Sequence, residues 1–424
     1  MHFSNREIIT PFVKMSKSAH KKTQLPNGLT IITEKIPFLR SVSIGVWIKS
    51  GSRDELRDAN GIAHFLEHMI FKGTKRRSAR EIARSLESVG GYLNAFTSKE
   101  QTCFYAEILD TQISKAIDVL SDMICNSVFS PREMEKEREV ILDEIDSVED
   151  TPDDLVQDIF VEKLYPENSL GLPILGSKNS VNGISREMLL DFYERHYTSF
   201  NILIAAAGNI DHDKLVDLCE IKFHMPGRDE PHADLSIPRI GQGEYLLNRQ
   251  INQAHICLGM SALPYNHHLK YELLLLNTVL GVGMGSRLFQ NIRERYGVAY
   301  SVYSFVDFFK DNGLLAIYLG TDRNKKDRAL SLIGKELTKL SAKPISRTEL
   351  QRVKSQLKGN LILGLENTSK RMSRLAKMEI YLQKYQDVDQ IIRAIDNVSS
   401  ESISSLVKQI FHPEKMLQVI FLPN

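Results

Sequence analysis

The chain has 424 residues, 42% of them hydrophobic and 25% charged, with a formal net charge of +1. That is ordinary globular composition, long enough for two or three domains. Charge balance excludes a general nucleic-acid binder, which needs a basic excess to neutralise phosphates. No apolar stretch approaches the roughly 20 residues of a membrane span. Cys103, Cys125, Cys219 and Cys257 lie far apart with no CxxC pair. They read as isolated thiols of a reducing compartment, not as a disulfide framework or a cysteine zinc site.

Residues 1–22 are basic and carry no apolar core of a secretory signal, so they read as a flexible leader, with Met15 an alternative start. A mitochondrial presequence is the weaker reading, because the stretch is short and Pro11 interrupts it. A soluble cytoplasmic protein is expected.

After a strand-like run, SVSIGVWIKSGS (41–52), comes GIAHFLEHMIFKGT (61–74). His64 and His68, four residues apart on a helix, share one face. Such a pair can grip one metal ion, and Glu67 beside them can take a proton from water on that ion. The order HxxEH inverts the HExxH zinc-protease signature. Ile62, Ala63, Leu66, Met69, Ile70 and Phe71 make the rest of the helix apolar. Burying two histidines and a carboxylate there is costly unless something pairs with them.

GGYLNAFTSKEQTCFYAEI (90–108) alternates as a strand does. Its edge could pair with an extended peptide, although an interior strand fits the pattern equally well. Next, SPREMEKEREVILDEIDSVEDTPDDLVQDIF (130–160) reads as one long acidic helix. Glu137 and Glu144 stand two turns apart on one face of it, with Ile141 between. Two histidines leave a zinc site one protein ligand short, and this helix offers many carboxylates among which residue type does not choose. Residues 133–158 hold twelve Asp or Glu against two Lys or Arg. Most of that run is expected to face solvent; a part lining a chamber would concentrate basic peptides.

The Pro- and Gly-rich stretch 224–245 is the natural linker, for the second half repeats the plan of the first. AHICLGMSALPY (254–265) echoes the first strand, and YELLLLNTVLG (271–281) the helix, with leucine and valine in place of His and Glu. GVAYSVYSFVDFFKDNGLLAIYLG (297–320) echoes the β-rich run. Ser130-Pro-Arg-Glu133 and Ser346-Arg-Thr-Glu349 read as capping boxes opening long helices. Both halves close on a helix and then a strand. LGVGMGSRLF (280–289) lacks the spacing and the lysine of a phosphate loop, so nucleotide binding is rejected. His196, His255, His267 and His268 have no partner at metal spacing and read as structural or exposed.

Together, the pentad, the run EREVILDE (137–144) and RLFQNIRERYGVAY (287–300) resemble the pitrilysin family. That family includes insulin-degrading enzyme and the mitochondrial processing peptidases. GVWIKSGSRDE, GGYLNAFTSKEQT and LGLPILGS extend the resemblance over essentially the whole chain from about Leu25. It implies an α+β fold of two duplicated α/β-sandwich domains, 23–223 and 246–424, forming half of a clam-shell chamber. In the family the third zinc ligand is a glutamate 76 residues after the second histidine, which here is Glu144; the glutamate seven residues earlier, Glu137, orients a ligand. The resemblance implies one zinc per chain and Glu67 as general base. It also implies Tyr300 as donor to the oxyanion, Arg293 as a grip on substrate, and Asn94 and Ala95 on the substrate-binding edge. A homodimer whose partner supplies Arg293 and Tyr300 is expected, acting on short or unfolded peptides. Two alternatives are the catalytic subunit of a heterodimeric presequence-processing peptidase and a non-catalytic scaffold subunit.

Overall fold

The computed structural model describes residues 19–225 and 237–424. Residues 1–18 of the expected leader and 226–236 of the expected linker lie outside them. The first six strands are β1 (Ala19–Gln24), β2 (Thr30–Lys35), β3 (Ser41–Ile48), β4 (Tyr92–Thr97), β5 (Thr102–Leu109) and β6 (Ile202–Gly208). They form one sheet in the order β1-β2-β6-β3-β5-β4. A second sheet holds β7 (Gly243–Arg249), β8 (Ala254–Ala262), β9 (Ser301–Phe308), β10 (Gly313–Thr321) and β11 (Leu417–Pro423), in the order β7-β11-β8-β10-β9.

Apart from β1, the two sheets have one topology. Each starts with a parallel pair, β2 with β6 and β7 with β11. Three antiparallel pairings follow in each. The duplication legible in the sequence is therefore a duplication of fold. Both of its boundaries shift slightly. Ala19–Lys22, expected as leader, pair with β2 across a turn that Gly28 closes at φ +96°, and an edge strand tolerates the lysines that made this segment look like a tail. Gly243–Tyr245, expected as linker, already belong to β7.

Each sheet lends a helix to the back of the other. Helix Pro152–Leu164 leaves the first domain and lays Val156, Phe160 and Leu164 against Cys257, Val419 and Phe421 of the second sheet. Helix Thr368–Leu382 returns the arrangement, packing Met372, Leu375 and Ala376 on Ile32, Trp47, Leu203 and Ala205. Both sheets are thus covered on two faces, which explains near-continuous apolar strands such as ILIAAAG of β6. Gly45 lets the helix approach, since a Cβ there would stand 2.8 Å from Met372 Sδ. Beside it, Arg371 donates to the fully buried Glu34 at 2.6 Å.

The acidic run is not one helix. It breaks at Asp150–Thr151 into Pro131–Glu149 and Pro152–Leu164, because Pro152 has no N–H to donate and disfavours helical geometry at Thr151. The break lets the two pieces serve different sheets. The capping boxes are also only partly realised. The Ser130 side chain makes no cap hydrogen bond, leaving Pro131 to start that helix. Ser346 does accept from the Glu349 N–H, but the Glu349 carboxylate holds Arg287 at 2.6 Å instead of reaching back.

Candidate metal centre

Helix Ile62–Ile70 lies in the first domain, with Ile62, Ala63, Phe65, Leu66, Met69 and Ile70 buried. Its N-terminus has no capping side chain of its own. Gly61 sits there at φ +97°, and a Cβ would stand 2.6 Å from the Leu175 carbonyl. Glu55 takes the role. Its carboxylate accepts from the N–H groups of Gly61 and Ala63 at 2.7 and 2.8 Å, and from Asn60 Nδ2 at 2.7 Å. These bonds fix where the helix begins, and therefore where its histidines point.

His64 and His68 project from one face with ring centroids 4.6 Å apart. Helix Pro131–Glu149 buries Met134, Glu137, Ile141 and Ile145, a stripe that brings Glu144 over both rings. Glu144 Oε2 lies 3.7 Å from Nε2 of His64 and 3.7 Å from Nε2 of His68. One ligand atom from each of the three lies within 4.8 Å of the others, and among the described residues no other such group of His, Cys, Asp or Glu occurs. Tetrahedral zinc with bonds of about 2.1 Å sets its ligand atoms roughly 3.4 Å apart, so the set fits a zinc ion. The imidazoles suit it too. Burial, with His68 adding to it, pulls His64 down to about 3, which keeps its ring neutral with a lone pair to give.

Glu137 stands behind the ligands as expected. Its Oε2 is 3.1 Å from His68 Nδ1, and its side chain is only 8% exposed. Its other oxygen meets Lys72 Nζ at 2.7 Å. Lys72 went unnoticed in the sequence, although it sits one turn beyond His68, where i+4 spacing could have found it. Glu67 is not one of the ligand set and accepts a hydrogen bond from Thr97 Oγ1 at 2.6 Å. Burial raises its carboxyl above the ordinary range against the lowering by Thr97 and His68. Thr97 carried no signal of its own in the sequence.

Asn94 and Ala95 lie on β4, which pairs with β5 alone and is the edge of its sheet. The interior-strand alternative is thereby excluded. The Ala95 N–H donates to Asn94 Oδ1 at 2.8 Å. Arg293 and Tyr300 belong to the second domain. Arg293 sits in a wide, π-type helical segment, Phe289–Arg295, stacked 4.9 Å over the Phe289 ring. Tyr300 precedes β9, its N–H held by the Gly320 carbonyl at 2.9 Å, and is 63% exposed. Among the described residues no hydrogen bond, ion pair or ring contact joins either of them to the histidines. Of the other histidines, His255 is buried against the Tyr318 hydroxyl at 2.8 Å, and His267 stacks on His268. The acidic run mostly faces solvent, with Glu137 its buried carboxylate; Asp158 lines, with Lys99, a cavity between the domains.

Residues 30–178 match the family model described as insulinase, peptidase family M16, and residues 183–357 match the model described as the peptidase M16 inactive domain. The uncharacterized zinc protease YmxG of Bacillus subtilis is 41% identical over 400 residues, covering 94% of this chain and 98% of its own. The chain belongs to peptidase family M16. Another relative, an uncharacterized zinc protease of Streptomyces coelicolor, is 38% identical over 408 residues, covering 94% of this chain and 89% of its own. Among solved structures, a protease from Helicobacter pylori has a TM-score of 0.89 at 21% identity, over 96% of this chain and 100% of that one. A putative M16-like peptidase from Alicyclobacillus acidocaldarius has a TM-score of 0.84 at 19% identity, over 97% and 99%. These likenesses establish the fold, that of the pitrilysin-like short two-domain members. The inactive-domain match falls on the half whose helix carries leucines where the first has its histidines. Among the described residues no helix is long and apolar enough to cross a membrane.

Proposed function

We propose that the chain is a zinc-dependent endopeptidase acting on short or unfolded peptides in the cytoplasm, with one zinc held by His64, His68 and Glu144. The observation that carries this reading is the convergence of those three ligands beside Glu67, a half-buried carboxylate that is not one of them. A zinc ion bound there supplies Lewis acidity, acidifying a water and polarising the scissile carbonyl. Glu67 accepts the proton of the attacking water and returns it to the leaving amine. Glu137 accepts from His68 Nδ1, which orients the ring and keeps its Nε2 free as a ligand. The β4 edge takes the substrate as an added strand, with Asn94 releasing the Ala95 N–H to the peptide backbone.

Tyr300 donates to the developing oxyanion and Arg293 holds a substrate carbonyl or carboxylate. Both are exposed and carry no bond to the zinc ligands of their own chain. We assign them to the site of a second copy, in a homodimer that closes as a chamber around the peptide; symmetric pairs are the commonest oligomers. Two experiments test this. Cleavage of a mixed peptide library should require zinc and disappear on chelation; full activity in the zinc-free protein removes the proposal. Glu67→Gln and Tyr300→Phe should each inactivate as homodimers, while mixed dimers regain one working site. No recovery after verified subunit exchange refutes the shared site and leaves the zinc chemistry standing.

A further inference from the structure

Far from the histidines in the sequence, four helical segments of the second domain enclose a pocket of about 170 Å³. Its walls are apolar, from Leu274, Leu361, Met378, Ile391 and Ile395 among others. Two cations line it, Lys270 and Arg374, and none of its described lining residues is acidic. Lys270 opens helix Lys270–Gly281, where a positive charge is unfavourable. Its Nζ lies 3.2 Å from the centre of the Tyr265 ring and 5.5 Å from that of Phe308. Among the described residues no carboxylate lies within ion-pair distance of it. Burial and the nearby Lys377 lower its amine to about 7.

Arg374 is only 10% exposed. Its Nη2 donates to the Gln386 carbonyl, but Nε and Nη1 are buried without a hydrogen-bond partner, and Nη1 is 3.7 Å from Glu34 Oε2. Buried donors left unpaired are costly. Half-buried ammonium groups with only aromatic faces for company are costly too. One ligand chemistry relieves both. It needs an anionic head for Lys270 and Arg374 and an apolar body for the leucine and isoleucine walls. Size narrows it further, since an apolar cavity of about 150 Å³ holds one benzene ring.

We propose that this pocket binds a monocarboxylate with a single compact apolar group of about phenyl size, its carboxylate paired with Lys270 and Arg374. Such a group is presented either by a free organic acid or by the C-terminal residue of a peptide. The site is distinct from the metal centre, and its occupancy does not depend on zinc chemistry.

Met378 lines the pocket and supplies the probe. In the full-length, zinc-loaded protein carrying methyl-labelled methionine, the Met378 methyl resonance is assigned through Met378→Leu. It is then followed during titration with phenylpropionate, phenylpropanol, N-acetylphenylalanine and N-acetylphenylalaninamide. Phenylpropionate should shift it saturably, with phenylpropanol at least about tenfold weaker, the worth of one charge-assisted hydrogen bond. Lys270→Met should reduce that difference, Arg374 being left as the one cation of the pocket. N-acetylphenylalanine binding as tightly as phenylpropionate, and its amide not, assigns a peptide C-terminus; phenylpropionate binding alone assigns a free acid. Equal affinity for acid and alcohol overturns the proposal, as does an unmoved Met378 resonance at millimolar ligand. Both of those comparisons use the unmodified pocket, so they stand whatever Lys270→Met does to folding.

Discussion

Replacing Glu137 by glutamine removes the carboxylate that faces His68 Nδ1 while leaving an oxygen of the same shape in place. In the native arrangement that carboxylate spans His68 at 3.1 Å and Lys72 at 2.7 Å, largely out of solvent. Its negative charge makes the His68 ring a better donor to a cation, and it neutralises an ammonium that would otherwise repel that cation. Both effects act across short distances in a site of low effective dielectric. Loss of such a supporting carboxylate weakens metal binding by about 10- to 100-fold, or about 1.4–2.7 kcal/mol. Competition with a chelator of known zinc affinity measures it without reference to activity, and thermal melting of the zinc-free variant separates it from general destabilisation. Adding Lys72→Met should restore part of the loss, because the orphaned ammonium is then gone. A zinc affinity for Glu137→Gln within about threefold of the parent, well short of that range, would mean that the carboxylate does not support the metal through His68.

Glu55→Ala should destabilise the protein by about 1–3 kcal/mol in urea denaturation, because the Gly61 and Ala63 N–H groups are left buried without an acceptor; it should also weaken zinc binding, as the histidine helix loses its fixed start. Asp118 makes a pH prediction. Burial raises its carboxyl, but hydrogen bonds from Lys222, Arg77 and Arg76 outweigh that and hold it at about 2, below the roughly 3.9 of an unfolded aspartate. Its contribution to stability is therefore complete above the unfolded value and lost as pH falls toward 2. The stability gap between the parent and Asp118→Asn should be widest above about pH 5 and close in acid; a gap independent of pH contradicts this. Finally, the first domain alone should not fold. Trp47, the only tryptophan, has the helix Thr368–Leu382 over it, so its fluorescence should be solvent-exposed in a fragment ending at residue 225 and become buried when the second half is added. A cooperative unfolding transition in the fragment by itself counts against the exchanged helices.

Sequence patterns reported what depends on neighbours along the chain. The facing of His64 and His68 follows from helical period alone, and so does the shared face of Glu137 and Glu144. Selecting Glu144 among a dozen carboxylates did not follow from period; it needed the resemblance to a family, because every acidic residue of a helix looks alike until another helix crosses it. Lys72 was within reach by the same i+4 logic. Thr97 and Glu55 were not. Each acts on a segment it meets only through the fold, Thr97 from 30 positions beyond Glu67 and Glu55 through a cap formed across an irregular loop. The exchanged helices were hidden for a related reason. Pro152 marked a break that the acidic charge pattern on both sides concealed, and no local feature says on which sheet the apolar face of Pro152–Leu164 will rest.

In the proposed function, His64, His68 and Glu144 hold zinc while Glu67 moves the proton. Zinc content and cleavage of a fluorogenic peptide, measured on the same preparations of the parent and Glu67→Gln, test it most directly. One zinc per chain is expected in both proteins, with cleavage lower in Glu67→Gln by about a hundred- to ten-thousand-fold, the usual worth of a general base. Undiminished cleavage by Glu67→Gln, or a Glu67→Gln protein that has lost its zinc along with its activity, would contradict it.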